Sequence, residues 1–247
     1  MKYLLLTILV FLNLHAQDKQ EVTLGLGAYI QSQPYKGVDD IILPSPVVFF
    51  DNGLFYMRWS RAGVYFLGDQ SDDFSWGFSL TAQPRVYGYE ASDSPFLAGM
   101  DKRKNTLEGG LAFSAKKNDL YIEVMALTDV LDRYESWLVK TEIGDKYTAG
   151  NFSFYPSVIV SYQSDNFMNY YYGVQTHEAT VSRAQYTADA GFQIGAQTYI
   201  KYPITKDWAV LLNLRADILP SSVKDSPIVE DNYIYSGLAS VIYTFTY

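Results

Sequence analysis

The sequence predicts an all-β fold, an antiparallel transmembrane β-barrel, and three observations point to it. Apolar and polar residues alternate over runs of ten or more positions, aromatic residues make up 16% of the chain, and short turn signals alternate with long polar connections. A strand with period-two alternation has one apolar and one polar face. A tilted strand of about 9–11 residues crosses a bilayer, and aromatic rings collect in girdles at both membrane interfaces.

The chain opens with an export signal. Met1-Lys2 is a short basic start, Tyr3 to Leu14 is an apolar run too short to span a bilayer comfortably as a helix, and Leu14-His15-Ala16 offers a small residue before Gln17. The expected division is a cleaved leader at 1–16 and a single barrel domain at 17–247. Losing Lys2 leaves 18 basic against 27 acidic residues, a net charge of −9. That balance argues against nucleic acid, which needs clustered Lys and Arg. With no cysteine, disulfides and thiolate metal sites are excluded.

Twelve strands are expected, beginning near residues 20, 42, 54, 62, 74, 106, 119, 136, 152, 187, 206 and 232. Leu24-Gly25-Leu26-Gly27 reads as the interior of the first strand rather than a phosphate loop, because the third glycine of a dinucleotide fingerprint would fall on Ile30. Asp51-Asn52-Gly53 is a tight hairpin between two apolar runs. From 54 to 68 the reading is weaker: Ser60-Arg61-Ala62-Gly63 is a turn or only a bulge, and ten strands is the alternative. Phe74, Trp76, Phe78 and Leu80 then alternate with Ser75, Gly77, Ser79 and Thr81, the clearest strand in the chain. Leu120, Ile122 and Val124 alternate with Tyr121, Glu123 and Met125, and similar runs begin at 152, 187 and 206. Lys117-Asn118-Asp119, Gly150-Asn151 and Thr205-Lys206-Asp207 are short connections. Longer polar segments fall at about 33–41, 90–105, 164–186 and 220–231. An even strand count with this alternation puts short turns and both ends on the periplasmic side.

The last strand alternates Tyr243, Phe245 and Tyr247 with Thr244 and Thr246. Ending on an aromatic residue resembles the signal that barrel-assembly machinery reads in outer-membrane proteins. Arg85, Glu108, Glu123, Arg215 and Asp217 fall on the polar parity of their strands. Arg facing lipid at the midplane costs roughly 2–4 kcal/mol, so these side chains are expected to face the lumen and pair with one another. They either plug the lumen or line a selective pore.

Phe167-Met168-Asn169-Tyr170-Tyr171-Tyr172-Gly173-Val174, followed by Tyr186 to Gly191, resembles the MipA/OmpV family of MltA-interacting proteins. So do Asp225-Ser226-Pro227-Ile228-Val229 ahead of the last strand, Leu97 to Met100, and Glu108-Gly109-Gly110. The resemblance covers nearly all of the mature chain. It implies a barrel in the outer membrane of a Gram-negative bacterium, set in lipid and lipopolysaccharide. It also implies a scaffold for a lytic transglycosylase and a peptidoglycan synthase, with no cofactor.

No catalytic constellation is legible. His177, the single histidine of the mature chain, stands beside Glu178 in a long loop, without an identifiable third member of a triad. It cannot hold zinc without several carboxylate partners. The acidic pairs Asp39-Asp40, Asp72-Asp73 and Glu230-Asp231 could offer oxygen ligands to divalent cations, but solvated turn charge is the simpler reading. Two roles remain open: a non-enzymatic envelope scaffold, and a small-solute channel or ligand-binding barrel.

Overall fold

The computed structural model describes residues 21–71 and 73–246. The expected leader, Asp72 and the terminal Tyr247 lie outside the described residues. The strands are β1 (Glu21–Gln31), β2 (Ile41–Asp51), β3 (Phe55–Arg58), β4 (Arg61–Gln70), β5 (Phe74–Arg85), β6 (Thr106–Lys117), β7 (Leu120–Asp129), β8 (Trp137–Gly144), β9 (Tyr147–Ala149), β10 (Phe152–Gln163), β11 (Gly191–Pro203), β12 (Trp208–Ile218) and β13 (Tyr233–Thr246). All pair antiparallel, and β13 closes the sheet on β1, with Glu21 opposite Thr246. β8 and β9 lie end to end along β10 in one register. The ladder lapses between them at Asp145-Lys146, opposite Pro156, which has no N–H to give. They form one stave, so the barrel is closed with twelve, as the alternation predicts, and not with ten.

Strands begin within two residues of the expected positions in every case but one. β11 begins at Gly191 rather than near 187. Ala188 N and Ala190 N donate instead to Asn169 Oδ1 (2.7 Å) and Asp165 Oδ1 (2.6 Å), which hold this stretch against a loop helix. Ser60-Arg61-Ala62-Gly63 also resolves. Trp59-Ser60 is a hairpin turn, with Arg58 opposite Arg61 and Trp59 at φ 56°. β3 is therefore only four residues long. A bulge follows in β4, where Phe66 is skipped in the pairing with β5.

Alternation sorts the side chains as expected. Leu26, Leu80, Leu111, Val158, Ile194, Leu214 and Val241 face outward in an apolar belt. Aromatic contacts band it at two levels, Phe152–Tyr202 and Trp208–Tyr243 near the short turns and Trp137–Tyr162–Phe192 near the long loops. Inside, Gly25 and Gly27 sit where a Cβ would collide with Ile242 and Ser240 of β13, so the strands approach closely there. One flank of the lumen carries a buried apolar cluster of Val47, Leu211, Leu238 and Ile242, against which Tyr29 and Trp59 pack.

The long loops fold together over one end. Segment 164–190 carries a helix, α1 (Asp165–Tyr172), and segment 219–232 a single helical turn, α2 (Ser221–Lys224). A loop at 130–136, not foreseen as a long connection, completes the cap. It is built on Asp129, whose carboxylate accepts from the N–H groups of Leu131 (3.0 Å), Arg133 and Tyr134 (2.7 Å) and from the Thr106 hydroxyl.

Candidate functional site: a charged lumen beneath a tyrosine cap

The predicted lumenal charges do face inward, in two tiers. Under the cap, Arg85 pairs with Glu108, which also accepts from Gln83 Nε2 (2.8 Å) and Tyr134 OH (3.0 Å). Across the lumen, Arg215 forks onto Asp217 (2.6 and 2.7 Å), which receives a further bond from Gln193 (2.8 Å). Burying a carboxylate costs several kcal/mol unless its oxygens are filled, and here they are. Glu123 lies lower and pairs with neither predicted arginine. It is shared by Arg58 (2.9 Å) and Arg61 (2.8 Å), and Arg58 also reaches Asp51 (3.2 Å) and Tyr65 OH (2.6 Å). Both arginines lie in the segment whose register the sequence left ambiguous, so their direction could not be read.

Two further lumenal groups escaped the sequence reading, although the parity of β8 identifies them. Glu142 accepts from Tyr121 (2.8 Å), Ser157 (2.9 Å) and Gln197 (2.8 Å). Lys140 has neither an ion pair nor a side-chain hydrogen bond among the described residues. The network does not fill the barrel. A cavity of about 1570 Å³ runs from the short turns, past Glu123 and Lys140, to Gln31, Arg85 and Tyr87 below the cap.

The resemblance motifs build the cap. Tyr171 and Tyr172 are fully buried, and Tyr170 stacks edge-on against Tyr171 at 4.8 Å. Tyr170 O accepts from Arg103 Nε (2.6 Å), and Tyr170 OH accepts from Lys104 N (2.8 Å). Gly173 ends α1, where a Cβ would fall 2.5 Å from Asn169 O. Ser226 Oγ donates to Tyr172 O (2.7 Å), Pro227 O accepts from Lys36 Nζ (2.9 Å), and Asp225 N closes α2 on Ser221 O (3.3 Å). These residues hold loop to loop and do not line the cavity. Burial pushes the hydroxyl pKa of Tyr35 and Tyr172 well above the ordinary tyrosine value, and raises those of Tyr89, Tyr134 and Tyr171. The cap is anchored on the upper tier, since Arg85 lies 4.8 Å over the Phe167 ring.

His177 is exposed on the cap's surface and bonds Asp101 at 2.8 Å. Asp101, His177 and Glu178 lie close enough to share an ion. However, the oxygens of Glu178 already accept from Arg103 (2.8 and 2.9 Å), Asp101 N (2.9 Å) and Gln175 N (2.7 Å), so an ion would have to displace a buried salt bridge. Arg183 similarly gathers the carbonyls of Phe96, Ala98 and Glu178. In sequence, Arg103 and Arg183 look like ordinary loop charges, and only the folded cap gives them buried partners.

The family model described as MltA-interacting protein MipA matches residues 24–245. Among curated proteins, the chain is 28% identical over 236 residues to MltA-interacting protein of Escherichia coli (strain K12), covering 94% of this chain and 92% of that one. It is 26% identical over 226 residues to putative outer membrane protein YiaT of the same strain, with 91% of each covered. It is 30% identical over 180 residues to outer membrane protein Omp26La of Vibrio anguillarum, covering 73% of this chain and 69% of the relative. Among solved structures it is similar to the outer-membrane-expressed OmpT of Vibrio cholerae, with 8% identity, a TM-score of 0.42, and coverage of 93% and 99%.

Proposed function

The chain belongs to the MltA-interacting protein MipA family of outer-membrane barrels, and from that premise we propose that it is a non-enzymatic scaffold that docks a periplasmic cell-wall enzyme against its short-turn end. The observation that carries this reading is the asymmetry of the barrel. One end is sealed by a bonded tyrosine cap, while the other is an open, charged mouth beside Glu21 and Thr246. In outer-membrane barrels short turns face the periplasm and long loops face outward. A barrel closed outward and open inward presents a binding surface to the periplasm rather than a through-pore. A relative that bears the name MltA-interacting protein supports a lytic transglycosylase as the partner class, with a peptidoglycan synthase as a second member of the assembly. The apolar belt is the surface for lipid and lipopolysaccharide, and the alternating last strand is the segment for barrel-assembly machinery.

Pull-down from detergent extracts tests the reading. Capture of a peptidoglycan enzyme by the native chain, and its loss when Lys116 and Lys146 at the mouth are changed to Glu, is expected; reproducible absence of such a partner sinks it. The second role, a ligand-binding barrel, draws support from the cavity, whose charged side faces an apolar flank.

A further inference from the structure

The short hairpin β3–β4 leaves a seam in the barrel wall. β3 meets β2 only at Phe49, Phe50 and Asp51, and the pairing of β4 with β5 begins at Ala62 opposite Ala82. Beyond the Trp59-Ser60 turn, β2 from Ile41 to Val47 and β5 from Gln83 to Arg85 have no strand between them. At the turn itself β2 and β5 stand three strand spacings apart, roughly 14 Å. Toward the long-loop end the seam is bounded by a loop contact, in which Ser94 Oγ donates to Lys36 O (2.6 Å). From inside, Gln31 Nε2 bonds Val86 O (3.2 Å) across it. Trp59 stands at its lower edge, tied to Ser45 Oγ (2.9 Å) and packed edge-on against Tyr29. The lumenal cavity reaches Leu43, Pro44 and Pro84 on the two margins, so it opens sideways through the apolar belt as well as toward the short turns.

An open sheet edge in hydrocarbon is costly, because each bare backbone polar group there costs several kcal/mol. The sequence answers with proline. Trp59 N bonds Val48 O, so even-numbered residues of β2 point their backbone groups at the seam, Pro44 and Pro46 among them. Val130 N bonds Leu107 O, so odd residues of β6 face β7 and even ones face β5. Glu108 is opposite Gln83, so odd residues of β5 face β6 and even residues, including Pro84, face the seam. At all three positions the seam lacks an N–H donor. A partner strand could not zip onto such margins, but an alkyl chain, which needs no hydrogen bond, can lie between them.

The lumen behind the seam supplies a head-group site. Arg61 Nη1 lies 2.9 Å from Met125 Sδ, and Met125 is the cross-strand partner of Lys140. The unpartnered ammonium of Lys140 thus shares a level with the turn at the seam's lower edge. Lys116, Lys146 and Lys201 also line the cavity without an ion pair among the described residues, Lys116 and Lys146 exposed at the short-turn mouth. Lys140 is the one beside the seam, and there, with an apolar flank facing it, it fits a monoanion carried on a chain. We infer that the seam between β2 and β5 is a lateral portal through which a long-chain carboxylate of the fatty-acid class enters from the membrane, its head group on Lys140 and its chain against Trp59 and the prolines.

The test uses the full barrel in lipid nanodiscs, with Trp76, Trp137 and Trp208 changed to Phe so that Trp59 alone reports, and a brominated long-chain fatty acid as quencher. Saturable quenching is expected, with affinity roughly tenfold weaker in Lys140→Met, the loss of one charged hydrogen bond, and retained in Lys140→Arg. Linear, unsaturable quenching that is equal in all three chains overturns the site. For the route, a bifunctional thiol reagent is used to join Pro44→Cys to Pro84→Cys, and heat-modifiable migration confirms an intact barrel. Stapling should slow the onset of quenching; an unchanged rate overturns the portal.

Discussion

Glu108 and Tyr172 show how differently two buried polar side chains behave in this protein. Glu108 is fully buried with every near neighbour a donor: Arg85, Gln83 and Tyr134. Glu108→Ala removes the anion and leaves Arg85 buried without its counter-charge, a loss of about 3–5 kcal/mol. It should lower the temperature at which the barrel loses its folded migration on gels and loosen the cap through Tyr134. Tyr172 is buried as deeply, but its hydroxyl has no partner among the described residues. The penalty for an unsatisfied buried donor is about 1–3 kcal/mol, so Tyr172→Phe should leave stability unchanged or raise it. A clear fall in that mutant's unfolding midpoint would mean that the hydroxyl is bonded after all.

Among the elements, strands were far more legible in the sequence than the cap. Outward Leu80, Val158 and Leu214 against inward Thr81, Ser157 and Arg215 announce their faces because period-two alternation is a local property. The hairpin at Trp59 was ambiguous because neither Trp nor Ser marks a left-handed turn as Gly or Asn does. The cap was illegible for another reason. Its order rests on pairs distant in sequence, such as Arg103 with Glu178 and Tyr35 with Tyr172, which no spacing rule connects. The tyrosine-rich motif was visible, but its role as packing between loops was not. That packing predicts a pH limit for the cap. Burial raises the hydroxyl pKa of Tyr35, Tyr89, Tyr134, Tyr171 and Tyr172 above the unfolded value of about 10. Their contribution is therefore fully present below about pH 10 and is lost as pH rises toward the folded values, because the opened cap releases these protons first. Tyrosinate absorbance should rise cooperatively above pH 10 along with cap opening; an early, non-cooperative titration would contradict the tight cluster.

At the scale of the whole molecule, the wall and the cap do separate jobs. The wall is a sheet closed by β13 on β1 and parted only at the seam above the β3–β4 turn. Its outward apolar belt explains insertion, and its lumen holds a cavity that the charge tiers line without filling. The cap is carried on the ends of the staves and packs on the wall through Ala112, Met125, Leu127, Leu138 and Ile234, with Arg85 against Phe167 and Glu108 with Tyr134 as further ties. Segment 164–190 is the largest single contributor to its apolar interior, supplying Phe167, Met168, Tyr171, Tyr172, Val174 and Ala188. Excising residues 166–187 and joining the ends with a short Gly/Ser linker should therefore remove the seal while leaving the ladder intact, because long loops contribute little to strand pairing and tolerate change. In planar bilayers the native chain should pass no steady current. The excised chain should conduct, and the change Arg85→Ala within it should alter ion preference, since that guanidinium would then stand at the mouth. Steady conductance by the native chain would show that the cap does not seal the barrel, and with it the scaffold reading would give way to a channel.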